Sequence, residues 1–332
     1  MTGLHAWIER MWWKASPPPW PLRVLEPVYG MFSRRHLERR AQQVTQPPLP
    51  LISVGNITAG GSGKTPFVIW LAEQLIKAGR KPVILCRGDS GKSSSDPVRV
   101  NFDADPSLVG DEALLLAKQS GCAVISGRDR IKGSKLAATL GDTIILDDGF
   151  QYRGLGRICD IVLVPSEGVG NGHQIPAGPL REPVSALDRA DLIVRSGSSQ
   201  FKPLTKAKEW HWQALPGALQ DVMQTGETLP LHICAATGIA RPERFLNDLR
   251  ATGREIQTSR RFPDHHRFTS SDVQALLDLE LPIVVTAKDA VKLSKLWPSD
   301  QPLWVLPQSG IGEKGLFDAI KDTLKTRVTL WA

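Results

Sequence analysis

The string Thr58-Ala59-Gly60-Gly61-Ser62-Gly63-Lys64-Thr65 constrains the fold of this chain more than any other feature. Residues 50–54 before it read as a buried strand, and residues 65–78 after it as a helix that ends at Gly79. A Gly-rich turn between a buried strand and a helix is the setting that a Walker A loop requires. Its glycines let successive backbone N–H groups turn inward onto phosphate oxygens, and the helix N-terminus adds a favourable dipole. Lys64 is then placed to bridge the β- and γ-phosphates of ATP, and the Thr65 hydroxyl to ligate Mg²⁺. Thr58 stands where the simplest consensus has Gly, and the alternative reading is a Gly-rich turn with no nucleotide.

The pattern around this loop keeps alternating. Strands are expected at 82–86, 123–126, 143–146, 160–164 and 191–194, helices at 111–119 and 129–140, and a Gly/Ser-rich loop at 88–95. Strand and helix in alternation predict an α/β fold, a doubly wound parallel sheet of the P-loop NTPase type. From about Lys206 the pattern restarts with a possible ribbon at 209–215, a strand at 231–235 and a helix at 242–251. A loop carrying Phe262 to Phe268, a helix at 272–279 and strands at 282–286 and 303–306 follow, which makes a second, smaller α/β domain. The expected organisation is N-terminal helices in 1–45, the P-loop domain in 46–205 and the smaller domain in 206–332. A chain of 332 residues can fill both cores.

Residues 4–13 place Leu4, Trp7, Ile8, Met11 and Trp12 at helical spacing, with Glu9, Arg10 and Lys14 elsewhere on the wheel. After Pro17-Pro18-Pro19 come Leu22, Leu25, Val28, Tyr29, Met31 and Phe32, then Arg34, Arg35, His36, Arg39 and Arg40. Apolar and aromatic residues beside clustered Arg suit a helix lying in a membrane interface, and they suit equally a helix covering a core. Neither a cleavable signal nor a spanning helix is expected, because charges interrupt every apolar stretch before it reaches about 18 residues. The formal charge of +7 favours anionic partners without choosing among them. Four widely spaced cysteines suggest neither a disulfide framework nor a zinc site, and a reducing cytosol fits them.

Several acids and one histidine pair are candidates for chemistry. Ile144-Ile145-Leu146-Asp147-Asp148-Gly149 puts two carboxylates at the C-terminal end of a buried strand, where open α/β sheets build their sites. One is the expected Mg²⁺ carboxylate; adjacent side chains on a strand face opposite ways, so the other has a different role or caps the turn. Asp111 opens a helix and reads on pattern as an N-cap. Arg181-Glu182, after a Gly/Pro-rich loop, could set a cation and an anion beside the phosphates or form a surface ion pair. In Phe262-Pro263-Asp264-His265-His266, one active histidine with one neighbour is expected rather than a metal pair.

Taken in order, Gly55-Asn56-Ile57-Thr58 with the loop that follows, Gly110-Asp111-Glu112, Asp147-Asp148-Gly149-Phe150-Gln151, Gly178-Pro179-Leu180-Arg181-Glu182 and Phe262-Pro263-Asp264-His265 resemble the tetraacyldisaccharide 4′-kinase family of lipid A biosynthesis. The resemblance covers nearly the whole chain. It implies a kinase at the cytoplasmic face of a bacterial inner membrane that uses MgATP to phosphorylate the 4′-hydroxyl of tetraacyldisaccharide 1-phosphate, giving lipid IVA. It also implies two α/β domains joined by a β-ribbon, with the site in the cleft between them. By motif, Asp111 corresponds to the general base and His265 to its partner, which replaces the N-cap reading. Lys64 and Arg181 correspond to phosphate-handling residues, while Thr65, Asp147, Asp148 and Glu182 correspond to residues around Mg²⁺. The family often has Tyr at the position of Asp89, which is given no role.

Two rivals remain in view. Membrane-partitioning switch ATPases carry an extra Lys where this chain has Ala59. Nucleic-acid binding would rest on charge alone, since the basic residues lack interleaved aromatics. The expected partners are therefore a lipid acceptor and a membrane surface, with the protein acting as a monomer.

Overall fold

The computed structural model describes residues 3–13, 17–88, 96–197 and 203–328. Lys14, the side chain of Leu4 and, from residue 89 onward, the expected Gly/Ser-rich loop lie outside them. In chain order the elements of the first sheet and its helices are α1 (Gly3–Trp13), α2 (Trp20–Ala41), β1 (Leu51–Asn56), α3 (Lys64–Lys77), β2 (Pro82–Cys86), β3 (Val98–Arg99), α4 (Pro106–Val109), α5 (Asp111–Gln119), β4 (Ala123–Ser126), α6 (Arg130–Ala137), β5 (Thr143–Asp147), β6 (Cys159–Val164) and β7 (Leu192–Ser196). There follow β8 (Glu209–Pro216), β9 (Gln220–Asp221), β10 (His232–Thr237), α7 (Pro242–Ala251), β11 (Glu255–Arg261), α8 (Ser270–Leu277), β12 (Ile283–Thr286), α9 (Ala287–Leu293), β13 (Trp304–Leu306), β14 (Gln308–Gly312) and α10 (Leu316–Val328).

Nine strands form one sheet in the order β14-β8-β7-β6-β1-β5-β2-β4-β3. Its middle strands read as unbroken apolar runs because helices cover both faces, and β1, β2 and β5 are buried at every residue. β1 lies at the centre between β5 and β6, parallel to both. Its register with β5 sets Val54 opposite Asp147, so the strand that feeds the Gly-rich loop ends beside the acid pair. That is the carboxyl edge where such sheets bind ligands.

A second, five-stranded sheet has the order β11-β10-β12-β13-β9. This sheet is built from strands between β9 and β13. β8 and β14, although they fall within residues 206–332, pair antiparallel with each other and extend the large sheet. The chain leaves the large sheet along β8, which also pairs parallel with β7, and returns to it on β14. Leu316 and Ile320 of α10 then complete the first core.

Candidate active site

The Gly-rich loop is held from outside by the segment that ends in Arg181. Thr58 bridges Leu180, the Ala59 N–H donates to the Pro179 carbonyl at 2.7 Å, and the Arg181 N–H donates to the Ile57 carbonyl at 2.7 Å. Thr58 is buried and Ala59 is engaged in this way, so Gly60 to Thr65 are the part of the loop that lines a cleft of about 830 Å³. Gly60 and Gly63 have positive φ (89° and 78°), which a side chain would oppose. Among the described residues, the buried Ser62 hydroxyl has no hydrogen-bond partner.

Lys64 reaches Asn56 Oδ1 at 3.2 Å and Asp148 Oδ1 at 3.1 Å. Arg181 meets the same carboxylate with Nη1 at 3.0 Å from Oδ2. Burial alone would raise the Asp148 carboxyl, but Lys64 and Arg181 hold it well below the usual range. Asp147 behaves in the opposite way: burial first, and then Glu112, push its carboxyl up to about 7. The Arg130 guanidinium, buried beneath, donates to the backbone carbonyls of both acids at 3.1 Å. Arg181 and Glu182 form no pair with each other. Glu182 is held by Arg189 (2.8 Å) and Gln151 (3.1 Å), and it stands outside the residues that line the cleft.

The opposite wall joins the start of α5, on the large-sheet side, to the loop after β11 and the start of α9. Asp111 is the first residue of α5, with Gly110 in the cap position, and its carboxylate accepts the Glu112 N–H at 3.1 Å. Its other oxygen lies 3.3 Å from His265 Nδ1. The hydrogen bond to Asp111 raises the His265 pKa, while burial and Lys288 oppose it. Lys288 Nζ is 3.2 Å from both His265 Nε2 and Glu112 Oε1. His266 faces the other way: it stacks on Phe262 and bonds Asp272 Oδ2 at 3.1 Å. Of the two histidines, His265 lines the cleft and His266 does not. Among described residues, four that are not glycine have positive φ, and Asp148 (50°) and His265 (56°) are two of them. Such conformations cost about 1–3 kcal/mol and gather at functional sites.

α1 and α2 reach the site as well. Met11 is buried, Trp12 Nε1 donates to the Pro176 carbonyl at 3.0 Å, and Trp13 lies 4.0 Å beneath the Arg241 guanidinium at the cleft. The inner face of α2 bonds the Arg181 carbonyl through Tyr29 (3.3 Å) and Ser33 (3.4 Å). Its outer face leaves Trp20, Val24, Leu25, Val28, Met31 and Phe32 exposed. No described helix is long and apolar enough to cross a membrane.

Sequence reasoning placed Lys64, Thr65, Asp147, Asp148, Arg181 and His265 on one cleft, and the structure brings them there with Asp111 directly behind His265. It missed Glu112, Lys288, Arg130 and Arg241. Glu112 lay inside a quoted motif and was legible as a second carboxylate; the other three act through contacts that no local pattern announces.

The chain matches the family model described as tetraacyldisaccharide-1-P 4′-kinase over residues 19–325. A tetraacyldisaccharide 4′-kinase from Nitrosococcus oceani is 39% identical over 312 residues, covering 88% of this chain and 87% of that protein. One from Dechloromonas aromatica is 36% identical over 337 residues, covering 98% and 99%. Among solved structures, LpxK from Aquifex aeolicus in complex with ATP superposes with a TM-score of 0.73 at 28% identity, covering 90% of this chain and 97% of that one.

Proposed function

The chain belongs to the tetraacyldisaccharide 4′-kinase family, and from that premise and the cleft we infer that it transfers the γ-phosphoryl group of ATP to the 4′-hydroxyl of tetraacyldisaccharide 1-phosphate in lipid A biosynthesis. The observation that carries the reading is the pairing of two walls: Lys64 and Asp148 on the P-loop side, and His265, with Asp111 buried behind it, across from them. Transfer of this kind needs positioning and charge neutralisation more than covalent help. Lys64 and Arg181 supply cations where charge spreads over the phosphoryl oxygens. Asp111, steadied by His265, takes the proton of the attacking hydroxyl. The pair is split between domains, so only a seated second domain assembles it, which suppresses loss of phosphate to water.

Mg²⁺ fits the residues present. The Thr65 hydroxyl and the carboxyls of Asp147, Asp148 and Glu112 all line the same cleft, an oxygen set that suits a hard divalent cation. Thr65 with the Asp147–Asp148 pair would hold it, and Glu182 would support that arrangement through Gln151. When bound, the ion would neutralise charge that builds up during phosphoryl transfer.

The acyl chains of such an acceptor stay in a bilayer, so the cleft must work at headgroup level. The exposed outer face of α2, followed by Arg34, Arg35 and Arg39, supports docking on the cytoplasmic face of the inner membrane. Incubation in detergent with MgATP and tetraacyldisaccharide 1-phosphate tests the assignment. The expected products are ADP, formed only when acceptor is present, and a phosphorylated lipid; absence of both would sink it.

A further inference from the structure

α9 sends two lysines across the domain interface. Lys288 reaches Glu112, and Lys292, one turn on, comes within 3.9 Å of Asp111 Oδ2. The helix that carries them is fixed by Asp289, a fully buried carboxylate at its first turn. Asp289 Oδ2 accepts from Thr286 Oγ1 at 2.7 Å, the Gly238 N–H at 3.0 Å and Thr237 Oγ1 at 3.2 Å, while Oδ1 pairs with Lys292 at 3.1 Å. Asp289 thus ties the start of α9 to the end of β10. Lys288 consequently lacks the freedom of an ordinary surface lysine, and its side chain is only 17% exposed.

Its ammonium stands 3.2 Å from Nε2 of His265. An ammonium has three donors and no acceptor, so a ring nitrogen facing it must offer a lone pair. The single hydrogen of the neutral imidazole is then on Nδ1, which faces Asp111 Oδ2 at 3.3 Å. We propose that Lys288 is a positioning residue of the phosphoryl transfer: by covering Nε2 it makes His265 a hydrogen-bond donor to Asp111 and leaves Asp111 to accept the proton of the attacking hydroxyl. This rests on the reading of Asp111 and His265 as the proton-handling pair. Lys288 also bonds Glu112, the neighbour of Asp111. One side chain therefore registers that the second domain is seated and sets the tautomer of the pair.

The charges around His265 give the proposal a pH signature. The ring faces Asp111 on α5, Asp264 on its own loop and Lys288 on α9; Glu112 is held on Lys288, Lys292 approaches Asp111, and His266 is turned to Asp272. The Asp111 hydrogen bond raises the imidazole pKa, and Lys288 is one of the influences lowering it. Removing Lys288 lets the ring keep its proton to higher pH. A proton on Nε2 costs Asp111 basicity through the imidazolium, so the acid limb of the rate profile moves upward.

The test compares Lys288→Met, Lys288→Gln and Lys288→Arg with His265→Asn, His265→Ala and Asp111→Asn, using detergent-dispersed acceptor and MgATP. Lys288→Met is expected to lower kcat about tenfold, a share of the 10²–10⁴ that general base catalysis supplies. The KM for ATP should stay within about twofold and the acid limb should move to higher pH. Lys288→Arg, which keeps charge and donors, should restore both. Lys288→Gln keeps a donor without the charge and serves if Lys288→Met does not fold: its kcat should lie between the two while its acid limb still moves. His265→Asn keeps an N–H where Nδ1 stands and should retain far more turnover than His265→Ala. The His265 ring resonance, identified by its loss in His265→Asn, should titrate at higher pH in the Lys288→Met and Lys288→Gln proteins. Normal kcat and an unmoved acid limb in both, with Asp111→Asn inactive, would overturn the Lys288 role and leave the pair standing. A KM for ATP rising in step with the loss of kcat would make Lys288 a nucleotide ligand and overturn it equally. Full turnover by Asp111→Asn would instead remove the pair itself.

Discussion

At the end of β5 two neighbouring carboxylates meet different surroundings. Asp147 is buried beside Glu112, whereas Asp148, in a left-handed turn, is drawn out to Lys64 and Arg181. The folded state holds a proton on Asp147 more tightly than the unfolded chain, with a pKa of about 7 against 3.8. Its contribution to stability is therefore complete below the unfolded value and is lost as pH rises through 7. Metal-free Asp147→Asn should be more stable than the parent at pH 8, by on the order of 2 kcal/mol, and no more stable at pH 4. Urea unfolding of the metal-free proteins at both pH values measures this, and equal stability at pH 8 would refute it. Added Mg²⁺ should shrink the difference, because the ion stabilises only the parent's carboxylate. At this scale the sequence named the acids but not their fates: the pKa of Asp147 depends on Glu112, 35 positions earlier (147 − 112), and on its depth in the sheet.

The elements themselves were legible where burial leaves a pattern. β2, α5, β4 and α7 occupy the residues that periodicity and turn residues predict, because each has a continuous apolar run or face with a cap or glycine beside it. β11 and β14 left no such mark. β11, Glu255–Arg261, is an edge strand of alternating half-exposed residues. β14, Gln308–Gly312, pairs through glycines because nothing larger fits: a Cβ on Gly310 would stand 2.7 Å from Trp70 Cβ and 2.9 Å from the Trp212 ring. Gly55 raises the same issue at the site. A Cβ there would stand 2.5 Å from the Phe150 Cβ and 2.7 Å from its backbone nitrogen, so β1 touches the turn that carries the acid pair. Gly55→Ala should cost about 1–3 kcal/mol of overpacking and displace Asp147 and Asp148 from Lys64, with turnover falling further than stability. Gly61→Ala is the contrast, since its Cβ would meet nothing within 4 Å, and its stability should change by no more than about 0.5 kcal/mol. Thermal melts of both variants with a turnover assay decide the point; parent-like turnover in Gly55→Ala would show that the turn yields without moving the acids.

On the scale of the whole molecule, α2 connects the outside to the chemistry. Its inner face is fastened to the Arg181 carbonyl by Tyr29 and Ser33, and Glu26 accepts the Gln174 N–H at 2.7 Å. Its outer face leaves Trp20 76%, Phe32 62% and Val24 60% exposed, an apolar surface with no partner in the described fold. The helix is thus bound on one side to the loop that buttresses the phosphate site and is free on the other to enter a lipid interface. Fully burying one such side chain contributes about 1.5–3 kcal/mol, and half that in an interface still changes partition several-fold per residue. Trp20→Glu/Val24→Glu/Phe32→Glu should therefore sediment with anionic vesicles at least about 100-fold more weakly than the parent, while melting at the same temperature. Each Arg of Arg34, Arg35 and Arg39 adds about 1 kcal/mol near an anionic surface, so binding by the parent should also weaken as salt rises. The triple variant should turn over detergent-dispersed acceptor at the parent rate and lose activity only when the acceptor is embedded in vesicles. Equal vesicle binding by parent and variant would place the docking surface elsewhere, and equal loss in both assays would show that α2 acts on the cleft through Arg181 rather than on the membrane.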